Sequence, residues 1–547
     1  MGRQRASWHQ AIVLAALAST TSGLYYDTPE DCSWTPMPGR EADSVFLTCH
    51  LSSINSKLER TNFSVIPSES TRGLRILCEE SSLGRLEPDG FSTLSLLEEL
   101  EIRNCALESI PVRAFNGLPN LRRLTVISGR ETGVLRIEQG ASANLTNLSQ
   151  LDLSENGIRE FPQSELCSMP SLTNLNLSRN EIGSIFDLAL APSPSCLSNL
   201  SEVDLSANEI TSLEAASLPA LPGLRELRLH DNFIRFISPD FFANTSLETL
   251  DMSNNQVNHL PGGLLLAQPL RVLLLDNNTL SSLPEDAFAG QKQLEELSLA
   301  GNLLTGSKLL PELATDLLSL LHLDLSSNML ESLEPSFLAA LPSLQVLKVS
   351  KNKLTRLQMP STLFQLTDLN MAGNQLVKIE ANSLLGLDAL THLNLRDNQL
   401  QSIHSATFRN ASSILVLDLS NNQLMAVPES LKYLSNLQML DIGKNFISDI
   451  SNSPLAVMEG LWRLQMPGNQ IRNISHSIFS NLRTLQIVDM SANQIENIDR
   501  GAFDQNKLLR AIRLDGNLVE EIEGVFTHLP DLIWLNISAN WPAGQLL

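Results

Sequence analysis

The sequence predicts an α/β solenoid, and three observations carry that prediction. The pattern L-x-x-L-x-L-x-x-N recurs every 22 to 28 residues, and most steps are 23 or 24 residues. A phenylalanine follows many of the asparagines after about ten residues. One such unit cannot bury its own leucine face, so its neighbours must stack on it. The closing asparagines are Asn156, Asn180, Asn208, Asn232, Asn255, Asn278, Asn302, Asn328, Asn352, Asn374, Asn398, Asn422, Asn445, Asn469, Asn493, Asn517 and Asn540.

Each repeat is predicted to contain one short strand. In the unit that ends at Asn398, Leu393 and Leu395 alternate along the strand and point inward, while Leu390 precedes them. The asparagine lies where the chain leaves the strand, and its amide can bond backbone groups of its own turn and of the neighbouring one. Buried backbone groups left unpaired cost roughly 1–3 kcal/mol each, so we expect a structural asparagine ladder.

The phenylalanines are expected to stack along the opposite side of the solenoid. They are Phe242, Phe288, Phe337, Phe408, Phe479, Phe503 and Phe526. Weaker repeats extend the array upstream, with Cys105 and Gly129 in the asparagine slot and a half-match through Ile76 and Cys78 to Ser81. We therefore predict a leucine-rich-repeat solenoid of about twenty repeats in one horseshoe, with a parallel concave sheet and an irregular or short-helical convex side.

The ends of the chain predict a secreted product. Arg3 and Arg5 precede an apolar stretch and small residues, so residues 1–23 read as a signal peptide cleaved after Ser22 or Gly23. No other stretch has 18 uninterrupted apolar residues, and no transmembrane helix is predicted. We expect a cysteine-containing cap at 24–73, the repeat array at 74–540, and a tail at 541–547 without a C-terminal cap, as in a fragment or a replaced final exon.

The six cysteines fit an oxidising compartment. Fifteen pairings are possible, and spacing does not choose among them. We predict Cys32–Cys49 and Cys78–Cys105 at the N-terminus, with Cys167–Cys196 clamping the lengthened repeat before Asn208. The spacing does not suit a zinc site, and no metal or other cofactor is expected.

Glycosylation is predicted on several N-x-S/T sequons. The candidates are Asn62, Asn144, Asn147, Asn176, Asn199, Asn244, Asn277, Asn410, Asn473 and Asn536. Asn176 and Asn536 lie between the inward leucines of their strands, so a glycan there would shield part of the concave sheet. Locally, a ligand would then meet a lateral edge instead.

The net charge of −22 argues against a nucleic-acid partner, which requires clustered basic residues. Part of that acidity forms a row on outward strand positions, interrupted by Arg228, Lys348 and Arg513. The row is Asp152, Asp204, Asp251, Asp324, Asp418, Asp441 and Asp489. It can attract a basic protein ligand, or it can be the solvated face that such strands ordinarily present.

No catalytic residues are predicted. The sequence lacks H-E-x-x-H, G-x-S-x-G, a P-loop and G-x-G-x-x-G. His230, His322 and His392 fall on outward positions of different repeats and read as surface residues. The five Trp and three Tyr are too few for a base-stacking groove. An enzyme is not expected.

The segments outside the regular repeats indicate which group of leucine-rich-repeat proteins the chain resembles. Asp31-Cys32-Ser33-Trp34, Leu47-Thr48-Cys49-His50-Leu51 and Glu59–Ile66 resemble the N-terminal cap of arthropod Toll receptors of the long-ectodomain type, the group of 18-wheeler and Tollo. Cys78 and Cys105 match the remaining cysteines of that cap. Late in the array, 509–517 and 529–538 look like the same family, and the similarity covers the mature chain up to Asn540.

The resemblance implies the extracellular part of a membrane receptor of innate immunity and development. Such a receptor binds a Spätzle-like cystine-knot cytokine or a cell-surface protein, and a homodimer is possible. The sequence departs from the family after Asn540, because further repeats, the membrane span and the cytoplasmic TIR domain are missing. It would lie at the cell surface in a full-length form and be secreted as written. The alternatives are a soluble protein that sequesters ligand and a leucine-rich-repeat adhesion or matrix protein.

Overall fold

The computed structural model describes residues 32–37, 44–51, 66–79, 85–129, 133–162, 165–188, 197–215, 221–266 and 268–540. The predicted signal peptide and the tail at 541–547 lie outside these residues. The chain divides into two compact units, Met1–Ile182 with Phe186–Val203 and Gly183–Ile185 with Asp204–Leu547. Each unit is a stack of leucine-rich repeats, so the predicted fold class is confirmed.

The first unit contains a sheet and one small additional strand pair. Its first two strands are antiparallel, and β2, β3, β4, β6, β8 and β9 then follow in parallel register. The small pair is β5 with β7. The strands are β1 (Cys32–Pro36), β2 (Val45–Leu51), β3 (Thr71–Cys78), β4 (Glu99–Arg103), β5 (Ser109–Ile110), β6 (Arg123–Ile127), β7 (Arg136–Ile137), β8 (Gln150–Asp152), β9 (Asn174–Asn176) and β10 (Glu202–Asp204), whose last residue belongs to the second unit.

In the second unit nearly every repeat contributes a strand of three residues, joined in parallel to the next. The main strands are β12 (Glu226–Arg228), β14 (Thr249–Asp251), β15 (Val272–Leu274), β16 (Glu296–Ser298), β17 (His322–Asp324), β18 (Val346–Lys348), β19 (Asp368–Asn370), β21 (His392–Asn394), β23 (Val416–Asp418), β24 (Met439–Asp441), β25 (Arg463–Gln465), β27 (Ile487–Asp489), β29 (Ala511–Arg513) and β30 (Trp534–Asn536). Small parallel pairs join β11 (Ser212–Leu213) to β13 (Phe236–Ile237), β20 (Lys378–Ile379) to β22 (Ser402–Ile403), and β26 (Asn473–Ile474) to β28 (Asn497–Ile498).

The side of the repeats away from the main sheet is built from turns and a few short helices, as predicted. The α-helices are α1 (Pro335–Ala339) and α2 (His476–Phe479), and the 3₁₀ turns are Leu166–Ser168, Ile185–Leu188, Gly306–Lys308, Pro311–Ala314, Thr407–Asn410, Glu429–Tyr433 and Pro454–Val457.

The core follows the repeat pattern. In the repeat that ends at Asn398, Leu390, Leu393 and Leu395 are each at most 1% exposed. Phenylalanines fill the other side: Phe479 and Phe503 stack with ring centroids 5.1 Å apart, and the next contact, between Phe503 and Phe526, spans 5.9 Å. The non-polar layers of successive repeats therefore form one continuous core within each unit.

Two disulfides hold the N-terminal repeats. Cys32 is bonded to Cys49 across the antiparallel pair β1–β2, and Cys78 at the end of β3 is bonded to Cys105. Both predicted pairs are confirmed. Cys105 occupies the slot that asparagine fills in later repeats, so a covalent bond joins neighbouring turns there. Cys167 is disulfide-bonded, but its predicted partner Cys196 lies outside the described residues.

Candidate ligand-binding surface

Each main strand of the second unit except β30 buries its middle residue, and the first and third residues lie on the outer face of the sheet. In β23, Leu417 is buried while Val416 and Asp418 are partly exposed. The predicted acidic residues all stand at the third position, where each ends its strand. Asp152 ends β8 in the first unit, and Asp204, Asp251, Asp324, Asp418, Asp441 and Asp489 end strands of the second.

These aspartates also have a local structural role that the sequence reasoning missed. In all seven, Oδ1 accepts the backbone N–H of the residue two positions later, over 2.8–3.0 Å. Asn176, Asn370, Asn394 and Asn536 make the same bond over 3.0–3.1 Å. An acceptor at this position therefore caps the turn without needing a charge, although Arg228, Leu274, Lys348 and Arg513 occupy it in other repeats.

The three basic residues that interrupt the row neutralise part of it. Each extends toward the aspartate of the preceding repeat. The N···O distances are 3.8 Å for Arg228–Asp204, 3.7 Å for Lys348–Asp324 and 3.1 Å for Arg513–Asp489. The Arg228 and Lys348 pairs are partly exposed and contribute little to stability, whereas Asp489 is buried against Arg513. All three pairs reduce the charge available to a ligand.

Asp418 and Asp441 remain as neighbouring carboxylates without a basic partner within 4 Å among the described residues. Burial raises the pKa of Asp441, and the negative charges of Asp418 and Asp489 add to that effect, while the Gly443 N–H opposes it. We call Asp418, Asp441 and Asp489 the carboxylate strip.

A non-polar row runs beside the carboxylate strip. Val416, Met439 and Ile487 occupy the first positions of the same strands and are partly exposed. Arg463 interrupts this row, and its buried Nε has no hydrogen-bond partner in the described part of the chain. The strip and its row suit a ligand that offers a cation beside an apolar side chain.

A second feature of the outer face is an open depression of about 470 Å³ over β15–β18. The third positions of β15 and β16 are Leu274 and Ser298, so these two strands carry no row aspartate, whereas Asp324 and Lys348 line the depression from β17 and β18. Asp276 reaches across instead, accepting a bond from Ser298 Oγ and one of 2.9 Å from the Ala300 N–H. Burial raises the pKa of Asp276. This residue was not predicted, because it lies outside the strand pattern.

The asparagines form the ladder that the repeat pattern suggested. Nδ2 of Asn398 donates to the carbonyls of Met371 and Leu395, both at 3.0 Å, and Oδ1 accepts the Leu376 N–H at 3.1 Å. Corresponding bonds link Asn156, Asn180, Asn232, Asn302, Asn422 and Asn517 to the preceding repeat. Each amide thus joins its own turn to the turn before it.

Other buried amides were missed. Gln268 donates to the Phe242 carbonyl at 2.8 Å and accepts the Leu247 N–H at 2.9 Å. Asn506 donates to the carbonyls of Phe479 and Leu482 at 2.9 and 2.7 Å. Their spacing does not repeat, so the sequence carries no periodic signal for them.

The sequons lie on several faces. Asn62 is outside the described residues. Asn176 and Asn536 both stand at the third position of their strands. Oδ1 of Asn176 accepts the Ser178 N–H, and Nδ2 of Asn536 also donates to Asp515. Most of the others are exposed on the turns: Asn144, Asn147, Asn199, Asn244, Asn277, Asn410 and Asn473.

Within the described residues no cluster of histidine, cysteine and acidic side chains could hold a metal ion. No helix described there is long and non-polar enough to cross a membrane.

Comparison with solved structures supports the fold. The glycosylated form of the Drosophila Toll–Spatzle complex matches with a TM-score of 0.70 and 20% identity, covering 90% of this chain and 69% of that one. A leucine-rich-repeat protein of Leptospira interrogans matches with a TM-score of 0.61 and 27% identity, covering 73% and 98%.

Comparison with curated proteins gives a different set of relatives. Chicken (Gallus gallus) lumican is 36% identical over 199 residues, covering 35% of this chain and 56% of lumican. Human podocan-like protein 1 is 35% identical over 164 residues, covering 29% of this chain and 31% of the relative. The chain thus spans about half the length of lumican and about a third of the length of podocan-like protein 1.

Leucine-rich-repeat proteins of this kind are non-enzymatic binding proteins. The prediction that this chain is not an enzyme is therefore confirmed by its relatives. The leucine rich repeat family model matches residues 130–182, 197–266, 268–330, 364–424, 390–447 and 461–519, more than half of the chain. The chain therefore belongs to the leucine-rich-repeat family.

Proposed function

We propose that the chain is the extracellular, ligand-binding repeat region of a Toll-type receptor of the 18-wheeler/Tollo group. The observation that carries the proposal is the N-terminal cap. Its sequence resembles that of the arthropod receptors. Cys32 and Cys49 form a disulfide within the cap, and Cys78 and Cys105 form a second one in the first repeats. The Toll ectodomain shares the fold at 20% identity, which supports the architecture alone.

The proposal includes the organisation and location of the chain. Residues 1–23 are a signal peptide, 24–73 the cap, 74–540 the repeat array and 541–547 a tail foreign to the family. Structural disulfides support passage through an oxidising compartment. The proposed location is the extracellular side of the cell surface, reached through the secretory pathway.

The proposed ligand is a protein, either a Spätzle-like cystine-knot cytokine or a cell-surface protein, and the receptor can act as a homodimer. Toll was solved in complex with Spatzle, which supports this class of ligand. We assign the carboxylate strip to ligand contact, because Asp418 and Asp441 are uncompensated and lie beside Val416 and Met439.

A charge-removal series tests this assignment without disturbing the turns. Since asparagine accepts the same backbone bond elsewhere in the row, Asp418→Asn, Asp441→Asn and Asp489→Asn together should leave the fold intact. Binding of purified protein to Spätzle-type cytokines, measured by surface plasmon resonance, should weaken by on the order of tenfold, as expected for charged contacts in an interface.

The matched control removes equal charge from exposed turns, with Glu331→Gln, Glu496→Gln and Glu520→Gln. It should bind like the unmodified protein. Equal weakening of both triple variants would show that net charge acts rather than the strip. Binding that neither variant changes would remove the strip from the proposal.

The second candidate is a matrix or adhesion protein of the leucine-rich-repeat class. The identity of 36% to chicken lumican over 199 residues favours it. Sequencing the native transcript across the codons for Asn540 to Leu547 separates the candidates. Continuation into more repeats, a membrane span and a TIR domain supports the receptor. A stop codon after Leu547 favours a soluble protein that sequesters ligand or a matrix protein.

A further inference from the structure

One repeat of the second unit carries a concentration of positive charge that the proposed function does not use. The whole chain has 38 basic and 60 acidic residues. Between residues 348 and 356, however, there are four basic residues and no acidic one: Lys348, Lys351, Lys353 and Arg356. A short run rich in Lys and Arg is a recognised signal for binding a polyanion.

Three of these four are uncompensated. Lys348 pairs with Asp324 on the outer face of the sheet. Lys351, Lys353 and Arg356 are exposed and have no carboxylate within 4 Å in the ranges that the structure covers. We call these three residues the basic edge.

Many other basic side chains near the main sheet are engaged with a carboxylate one repeat away. Arg271 donates twice to Glu295 at 2.9 and 3.0 Å, and Arg179 donates to Glu155 at 2.7 Å. Ionic bonds between repeats are thus the common arrangement, and the basic edge departs from it.

The backbone of the basic edge is held rigidly. Leu354 and Leu357 point into the core at 1% and 4% exposure, so Lys353 and Arg356 must point outward. The Leu354 N–H donates to Asn374 Oδ1 at 3.0 Å. A ligand would therefore meet charges on an ordered backbone, and binding would cost little chain entropy.

Lys351 extends toward the following repeat. A Cβ atom at Gly373 would lie 3.3 Å from Cγ of Lys351, so the glycine leaves room for the lysine stem to lie over its turn. Gly373 has a φ of +69°, a conformation that favours glycine in any case.

The side chains around the basic edge limit its net positive charge and add neutral polar groups. On the neighbouring repeats, Lys378 is paired with Glu380 at 2.6 Å, and Glu331 is exposed. Gln375 and Gln399, both exposed, occupy the same position after the ladder asparagine as Lys353 in the next two repeats. Amide side chains can donate to and accept from hydroxyl groups.

This part of the chain is also free of predicted glycans. No N-x-S/T sequon occurs between Asn277 and Asn410, the longest such interval in the chain. A bulky ligand can therefore reach the basic edge without meeting an N-linked sugar of this repeat or its neighbours.

We propose that the basic edge docks a sulfated polysaccharide of the glycosaminoglycan class. Its sulfates would pair with Lys351, Lys353 and Arg356, and its hydroxyls would contact the neighbouring glutamines. The proposal goes beyond protein-ligand binding and rests only on the extracellular location given above. The rest of this acidic chain repels a polyanion, so docking would be confined to one orientation.

Surface plasmon resonance on immobilised heparin tests the proposal with the full secreted chain. The test variant is K351Q/K353Q/R356Q. The control, K292Q/K308Q/R483Q, removes the same charge from exposed, dispersed basic residues of the same unit. At about 0.1 M NaCl the test variant should bind on the order of tenfold more weakly, and the control within about twofold of the unmodified chain.

Further binding measurements identify which chemical groups of the ligand are recognised. K351R/K353R keeps the charge and should bind normally, and desulfated heparin should not bind. The proposal is overturned if the unmodified chain does not bind heparin, or if the test and control variants lose affinity equally. Competition by poly-glutamate as effective as that by heparin would assign the basic edge to acidic polypeptides instead. Since heparin binding needs no cytokine, failure here leaves the receptor proposal standing.

Discussion

Replacing Asn398 by alanine tests what the ladder contributes to the fold. Asn398 is 7% exposed, so few of its bonds can be replaced by bulk water. Its amide donates to the Met371 and Leu395 carbonyls at 3.0 Å and accepts the Leu376 N–H at 3.1 Å. A weaker contact of 3.2 Å reaches the Arg396 carbonyl. The substitution leaves three buried backbone groups on two consecutive turns without these partners.

The expected loss of folding free energy follows from the number of backbone groups left unpaired. An unsatisfied buried backbone group costs roughly 1–3 kcal/mol, and a water molecule entering the site would recover part of it. We therefore expect Asn398→Ala to lower the free energy of unfolding by about 3–5 kcal/mol. Because repeats are stabilised mainly by their neighbours, the loss should appear as earlier exchange of amide hydrogens in the adjacent repeats.

Urea unfolding followed by circular dichroism, with hydrogen exchange read by mass spectrometry, measures both effects. Gln399→Ala is the matched control, since its side chain is exposed beside the same turn. It should change the free energy of unfolding by less than about 0.5 kcal/mol. A loss for Asn398→Ala as small as that of the control would refute the ladder argument at this repeat.

Three further predictions concern the cysteines and the acidic row. Cys167→Ser and Cys196→Ser should lower the melting temperature equally, and the double variant should be no worse than either single one; additive losses would contradict the pairing. Asp418→Asn should keep the melting temperature, whereas Asp418→Ala should cost about 1 kcal/mol in urea unfolding, because only asparagine can still accept the Ser420 N–H; equal losses would contradict the capping role. Asp441→Asn should stabilise the chain at neutral pH. A carboxyl whose pKa is raised by folding takes up a proton on folding, so its ionised form weakens the fold as the pH rises through the folded pKa. Melting curves at pH 4 and 7 should show the gain only at pH 7, and a gain that is equal at both pH values would contradict this reasoning.

The fold was predictable because the signal is repeated. The same spacing places a leucine in the middle of each strand and an asparagine after it, and one side chain geometry satisfies the backbone at every copy. The spacing of the cysteines did not determine their pairing, but the observed Cys78–Cys105 bond fits the repeat. Cys105 stands in the asparagine slot of a repeat, so a partner on the preceding turn is within reach of it, as Cys78 is.

The residues whose roles the sequence did not reveal do not follow the repeat period. Asp276 acts across a repeat boundary, and its role depends on the small side chain of Ser298 in the next strand. Gln268 is buried because of the turn geometry around Phe242, not because of its place in the pattern. Such residues are recognisable only when the turns are seen packed together.

The two roles of the acidic row bear on whether it serves binding. Capping explains why the third strand position carries an oxygen acceptor, but asparagine caps the same turn elsewhere, as at Asn370 and Asn394. The negative charge of Asp418 helps to raise the pKa of Asp441, a cost that an asparagine at position 441 would avoid. A ligand cation placed between them would remove that repulsion. If so, Asp441→Asn must stabilise the free chain and weaken ligand binding together, whereas a merely solvated row predicts the first effect without the second.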